Sequence, residues 1–246
     1  VTQPAACASF QRRARPALGT LVEVGVPQGT AESALALAFA AVAGVERVLS
    51  RHDAGSDLGR CHAAAPATPI AVSPATQRVL RAAAALWRAS QGAFDISLGS
   101  GPAHWHCQGG HLWRDHAGLQ LDAGGIAKGH AVDLAVRALQ QAGCTAGWVN
   151  AGGDLRSFGG VSVPVHLRDE QAGGVRLFGH LADGAMATSD FGPRARSRLS
   201  GPAKVAHVSV LAPRCLWADA LTKLVAATGR TDHPVLARLG ATAWVH

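Results

Sequence analysis

The stretch Leu121-Asp122-Ala123-Gly124-Gly125-Ile126-Ala127-Lys128-Gly129-His130-Ala131-Val132-Asp133 is the part of this chain best equipped for chemistry. It reads as a strand end, a glycine turn and a helix start. Glycines let backbone amides approach an anion, and a helix N-terminus adds partial positive charge. Lys128, in the first helical turn, adds a full charge suited to phosphate. The spacing matches neither GxGxxG nor GxxxxGK followed by Ser or Thr, so this is no standard nucleotide loop. The plainer alternative is a strand-to-helix turn with a solvated lysine.

Three further clusters carry reactive types. In Val149-Asn150-Ala151-Gly152-Gly153-Asp154, Asn and Asp flank a glycine pair and could face a ligand. The same residues also suit an ordinary hairpin turn. In Trp217-Ala218-Asp219-Ala220-Leu221-Thr222-Lys223, Asp219 and Lys223 share a helix face. Asp219 could hold a hard cation against phosphate oxygens. Alternatively the two residues form a surface ion pair, worth roughly 0.3–0.5 kcal/mol. His104-Trp105-His106-Cys107, with His111 and His116, supplies zinc-competent types in no standard zinc spacing. No GxSxG motif or recognisable nucleophilic cysteine is present.

The elements that must position these residues follow from periodicity and punctuation. Residues 20–26 alternate as a strand. Thr30 is placed to cap an Ala/Leu-rich helix running to about Leu49. Residues 50–65 read as a polar loop. Ser73 and Pro74 open a helix through about Ser90, and residues 91–95 turn. Residues 99–118 show no period. Residues 119–122 read as a short strand and 126–141 as a helix ended by Gly143. Residues 146–150, 161–168, 207–211 and 242–245 read as strands. Residues 218–227 read as a helix and 193–204 as an arginine-rich loop. Strands and helices mix without regular alternation, so the class expected is α+β, a mixed sheet with packed helices.

Composition narrows the function classes. The chain has 246 residues, 48% of them hydrophobic and only 16% charged, which suits one sizeable core rather than disorder. We expect an N-terminal arm over 1–16 and a single domain over 17–246. No apolar run reaches the roughly 18 residues of a membrane span. Residues 1–16 contain no apolar h-region. That suits a cytoplasmic chain, or a periplasmic one whose signal lies outside this sequence. Five widely spaced cysteines make a poor disulfide framework and fit a reducing compartment. The net charge of +7 favours anionic partners. It is scattered apart from a cluster at Arg194, Arg196 and Arg198, and Tyr is absent, so nucleic acid is not expected. Of 23 basic residues only Lys128, Lys204 and Lys223 are lysines, and two of these fall in the motifs above. A lysine kept in an arginine-writing chain suggests a need for a compact ammonium.

Taken in order, these pieces resemble the ApbE family, the FAD:protein FMN transferases. Ala17-Leu18-Gly19-Thr20 is similar to the family's opening Met-Gly-Thr motif. Residues 50–58 are similar to its serine- and aromatic-rich loop, with His52 at an aromatic position. Gly92-Ala93-Phe94-Asp95 resembles GxFD, and residues 121–133 resemble LDLGGIAKGYAVD, with Ala123 for Leu and His130 for Tyr. Residues 149–154 resemble VNAGGD, Ala187-Thr188-Ser189 resembles ATSG, and Ala218-Asp219-Ala220-Leu221 resembles the ADALAT helix.

The resemblance implies a T-fold-like architecture and a magnesium-dependent reaction. A threonine hydroxyl of an acceptor protein attacks the FMN-side phosphorus of FAD, and AMP leaves. Leu18 and His52 would line the flavin. Ala93, Phe94, Asp95, Asp122 and Lys128 would contact FAD. The Gly125 carbonyl and the Asp219 carboxylate would hold Mg²⁺. The partner would be a flavin-acceptor protein with an exposed Thr or Ser. The family's His-Ile-Ile-Asp-Pro-x-Thr-Gly loop corresponds here to residues 198–202, so Arg198 replaces its histidine and Gly201 its aspartate. Arginine is no general base near neutral pH, but it stabilises phosphate. Lys223 falls at the metal-site threonine, with Thr222 one step earlier and turned about 100° on a helix. Arg198 and Lys223 are therefore the candidate catalytic residues. Only 26 residues separate Asp95 from Asp122, which implies a trimmed adenine or acceptor side. Two other activities stay open beside transfer: FAD binding without transfer, and FAD pyrophosphatase action.

Overall fold

The computed structural model describes residues 9–101, 103–168, 173–193, 195 and 197–246. Cys7, Arg194 and Arg196 lie outside these. Seven strands form the main sheet: β1 (Phe10–Ala17), β2 (Thr20–Pro27), β6 (Gly147–Ala151), β7 (Asp154–Phe158), β10 (Ala185–Asp190), β11 (His207–Ala212) and β12 (Thr242–Val245), adjacent in that order. A three-stranded sheet, ordered β3 (Ile70–Ala71), β5 (His111–Arg114) and β4 (Trp105–Gln108), stands apart. So does a hairpin of β8 (Val163–Arg168) and β9 (Val175–Leu181). The α+β class expected from the sequence is the observed one, and every pairing in these sheets is antiparallel. Residues 10–16, expected in an arm, form most of edge strand β1, paired along β2 from Phe10↔Pro27 to Ala17↔Thr20.

The helices are α1 (Glu32–Leu49), α2 (Asp57–Ala63), α3 (Pro74–Ala89), α4 (Ala127–Gln141), α5 (Cys215–Thr228) and α6 (Pro234–Arg238). In α1, Leu35, Ala38, Phe39, Val42, Val45 and Leu49 recur at helical spacing and are buried. They join the inward residues of α4, α5 and the main sheet in one core. Alternation along β6 splits the two faces of that sheet. Val149 belongs to the helix-covered core, whereas Trp148 packs with Leu155, Leu181 and Met186 on the other side, under the β8–β9 hairpin.

Several local expectations need correction. Thr30 does not cap α1: its hydroxyl donates to the Pro27 carbonyl at 2.7 Å, and Ala31 precedes the helix. The polar loop at 50–65 contains α2, started by Ser56, whose hydroxyl accepts from the Gly59 amide. The stretch 99–118 holds the β4–β5 hairpin, turned at Gly109-Gly110. Residues 119–122 are not a strand, although the Asp122 amide donates to the Ile96 carbonyl at 2.7 Å. Ser73 caps α3 as expected.

Two devices position the motif residues. The first is reciprocal capping between α4 and α5. Helix starts leave amides unpaired. The Asp219 carboxylate of α5 accepts from the Gly129 amide in the first turn of α4, at 3.0 Å. In return, the Asp133 carboxylate of α4 accepts from Cys215 and Leu216, the first amides of α5, at 3.0 and 3.2 Å. Arg156 and Arg214 neutralise Asp133. Gly129 permits the close crossing, since a Cβ there would lie 2.2 Å from the Cys215 carbonyl oxygen. The second device is buried Arg114. Its guanidinium donates to the carbonyls of Cys61, His62, Ala64, Ala117 and Leu119. It thereby ties the end of α2 to the segment leading into Asp122, where His62 Nε2 accepts from the Leu121 amide at 2.9 Å.

Replacing Asp133 by Ala strands two buried amides and removes a buried charge partner. We expect a loss of about 3 kcal/mol of stability, read from urea unfolding. An unchanged midpoint would rule out the reciprocal cap as a stabilising device.

Candidate functional site

A cavity of about 420 Å³ opens between α1, the turn after α3, the glycine turn before α4, and the loop at 197–200. Its wall contains Leu18, His52, Ala93, Phe94, Asp95, Asp122, Gly125, Lys128, Arg198 and Lys223, which the chain carries in six separate segments. Asp219 does not reach the wall and lies fully buried.

The turn between β1 and β2 forces Leu18 into the left-handed region, with φ 56°, followed by Gly19 with φ 69°. A leucine there is conformationally strained. Its amide is held by Glu46 of α1, which accepts at 2.9 Å. With Val45, Leu49, Phe94, Leu98 and Leu199 it forms the apolar side of the cavity. Asp95 organises the turn that follows Phe94. Its carboxylate accepts from the Ser97 amide, the Ser97 hydroxyl and the Gly99 amide, each at 2.8 Å.

The polar side begins at Asp122. One carboxylate oxygen accepts from the Gly124 amide at 2.8 Å and shapes the glycine turn. The other meets Arg51 Nε at 3.2 Å. Arg51 and Glu46 were not singled out in the sequence. Arg51 lies inside the 50–58 segment and Glu46 shortly before it, but their spacing alone carries no signal. Arg198 is exposed and, among the described residues, has no carboxylate partner.

Beneath the glycine turn lies a cluster of two ammoniums and two carboxylates. Lys128 Nζ hydrogen-bonds Asp154 Oδ2 and lies 4.0 Å from Asp219 Oδ1. Lys223 Nζ hydrogen-bonds Asp219 Oδ1, and also donates to the Asp219 carbonyl at 3.1 Å and to Ser189 Oγ at 3.2 Å. The surface ion pair considered for Asp219 and Lys223 is therefore a buried one, with side chains 0% and 6% exposed. Asp154, placed in the sequence as a turn residue that could face a ligand, is fully buried. Its Oδ1 has no partner among the described residues.

These positions set the protonation of the cluster. Burial disfavours the Lys128 charge, but Asp154 and Asp219 outweigh it and raise its pKa above the ordinary lysine value. Burial and the neighbouring Asp219 push the Asp154 carboxyl up to about 6, against the pull of Lys128 and Lys223. Asp219 is equally buried, yet Lys128, Lys223 and the Gly129 amide hold its pKa below the usual carboxylate value. The difference follows from the contacts: Asp219 has both oxygens engaged, while Asp154 has one orphaned.

The resemblance placed Mg²⁺ on the Gly125 carbonyl and the Asp219 carboxylate. Asp219 Oδ2 is taken by the Gly129 amide, and an ammonium already sits on Oδ1. Thr222 turns its hydroxyl to Ser189 and to the Asp219 carbonyl. That donor set does not fit a divalent cation, which needs several free oxygen ligands.

The remaining candidates lie elsewhere. His106 and His104 share Asp115, at 2.9 and 3.4 Å, away from the cavity. Among the described residues no group of three His, Cys, Asp or Glu side chains is disposed to hold a metal. His130 is fully buried, and neither ring nitrogen has a partner among the described residues. Burial pulls its pKa down to about 4, so it is neutral. Cys61, Cys107, Cys144 and Cys215 are free thiols. No described helix is long and apolar enough to cross a membrane.

Comparison with known proteins agrees with this architecture. The fold is similar to that of the flavin transferase ApbE from Vibrio cholerae, with TM-score 0.78, 22% identity, and 89% of this chain and 87% of that one covered. It is similar to the ApbE protein from Thermotoga maritima, with TM-score 0.83, 21% identity and coverage of 96% and 94%. It is also similar to the flavinyl transferase ApbE from Pseudomonas stutzeri, with TM-score 0.80, 22% identity and coverage of 96% and 90%. No curated protein matches the sequence. A sequence model of the ApbE family matches residues 18–111 and 100–244, nearly the whole chain. With the motif residues gathered around one cavity, that match shows that the chain belongs to the ApbE family.

Proposed function

We propose that this protein is a flavin transferase that takes FAD and moves its FMN portion to a hydroxyl of an acceptor protein. The observation that carries this reading is the cavity itself. An apolar wall of Leu18, Phe94, Leu98 and Leu199 faces a glycine turn backed by Lys128 and flanked by Arg198. A flat aromatic ring system joined to a diphosphate matches that division. The names of the similar solved structures point the same way.

In the transfer, the acceptor Thr or Ser oxygen bonds to the FMN-side phosphorus as the bond to the bridging diphosphate oxygen breaks. AMP departs with that oxygen, and the acceptor hydroxyl proton passes to solvent. Phosphoryl-type transfer with a loose transition state relies on alignment and charge neutralisation more than on covalent help. Lys128 and the amides of the glycine turn would neutralise and align the diphosphate. Arg198 would steady the phosphoryl oxygens, since a guanidinium does not accept a proton near neutral pH. The hard floor under the turn, made by the α4–α5 crossing, would keep these donors in place.

A second reading, FAD binding without transfer, is favoured by one observation: the histidine implied by the resemblance is replaced by the exposed Arg198. One assay separates the outcomes. The protein is incubated with FAD and a Thr-containing acceptor peptide, and the products are followed by mass spectrometry. Transfer yields peptide-bound FMN with AMP, whereas free FMN with AMP marks hydrolysis. Bound but unchanged FAD supports the second reading. We expect peptide-bound FMN, and an acceptor left unmodified would contradict transfer.

Lys128→Ala tests the binding surface itself. Removing one charge-assisted phosphate contact, worth about 1.5–3 kcal/mol, should weaken FAD about tenfold to a hundredfold. Tryptophan or flavin fluorescence titration reads the change. Undiminished affinity in a folded variant would remove the diphosphate from this loop.

A further inference from the structure

Lys223 stands at the position where the resemblance expects an oxygen ligand, and its ammonium sits on the carboxylate that a metal would need. Its Nζ is shared by Asp219 Oδ1, the Asp219 carbonyl and Ser189 Oγ. The rest of the side chain runs beside the glycine turn. A Cβ added at Gly125 would lie 3.4 Å from both Lys223 Cε and Cγ. Lys223 lines the cavity while remaining only 5% exposed, so its charge is neither solvated nor mobile. Like charges at such short range repel strongly where water is excluded, so this ammonium and a divalent cation exclude one another.

The charge count gives the consequence. Lys128 and Lys223 balance Asp154 and Asp219, so the floor of the cavity is neutral. Without Lys223 the same floor carries one net negative charge, and a diphosphate would then require an added cation. We infer that Lys223 is a built-in cation that replaces the divalent metal, so that this cavity takes the diphosphate of a flavin dinucleotide without Mg²⁺. The inference rests on the flavin reading proposed above and specifies how that site handles charge.

Equilibrium dialysis against FAD, in EDTA and then in excess Mg²⁺, tests it with the intact protein. The wild-type dissociation constant should agree within about twofold between the two buffers. Lys223→Thr opens the space beside Gly125 and supplies a neutral oxygen. In EDTA that variant should bind FAD about tenfold more weakly or worse, and Mg²⁺ should restore the affinity. A merely structural lysine would not convert metal-independent binding into metal-dependent binding. A wild-type affinity that rises about tenfold with Mg²⁺ would overturn the inference and leave the flavin reading standing. A folded Lys223→Thr protein indifferent to Mg²⁺ would also overturn it. If the variant does not fold, the wild-type comparison decides alone. Wild-type protein that ignores FAD in both buffers overturns the flavin reading and the inference together.

Discussion

Two carboxylates, Asp154 and Asp219, lie fully buried where α4 crosses α5, and everything around the cavity depends on their being neutralised there. Burying an ion costs several kcal/mol unless a partner and good hydrogen bonds accompany it. Here Lys128 reaches Asp154, Lys223 reaches Asp219, and the Gly129 amide takes the remaining Asp219 oxygen. The same contacts fix the start of α4 and hence the glycine turn in front of it. The glycine turn and the helix crossing are thus one structure. A change to either lysine alters both the charge that the cavity presents and the packing beneath it.

The cavity divides its labour by segment. Apolar groups come from the β1–β2 turn, α1 and the turn after α3, cations come from Arg51, the start of α4 and α5, and the 197–200 loop supplies one of each, Leu199 and Arg198. Arg51 is already engaged with Asp122. Lys128 and Lys223 are held by buried acids. Arg198 alone stands exposed without a carboxylate partner among the described residues, which leaves it the most adaptable charge at the mouth. This arrangement suits a polyanionic ligand that enters past Arg198 and settles on fixed charges.

Much of this was legible in the sequence, for identifiable reasons. The helices α1, α3 and α4 declared themselves through long apolar periods, and Ser73 with Pro74 marked a start that the structure bears out. The motif residues of the cavity wall are legible in the sequence, because their types and order carry the resemblance. Other features were hidden. Strand β10, Ala-Met-Ala-Thr-Ser-Asp, is interior to the sheet, yet its face toward α5 carries only the small residues Ala185, Ala187 and Ser189, because α5 packs closely over it. Strand β7 begins with an aspartate that pairs with Lys128 rather than facing solvent. Asp133 caps a helix 82 positions further along the chain, a contact that no local pattern encodes. The burial of the Asp219–Lys223 pair was equally invisible, since i,i+4 spacing is the same on a solvated face and in a core.

The most direct measurement is a crystal structure of the protein grown with FAD and Mn²⁺, using anomalous scattering to locate the metal. The account expects the FAD diphosphate beside the glycine turn and Lys128, with Lys223 still on Asp219 and no anomalous peak at that carboxylate. An anomalous peak bound to Asp219, with the Lys223 ammonium displaced, would contradict it.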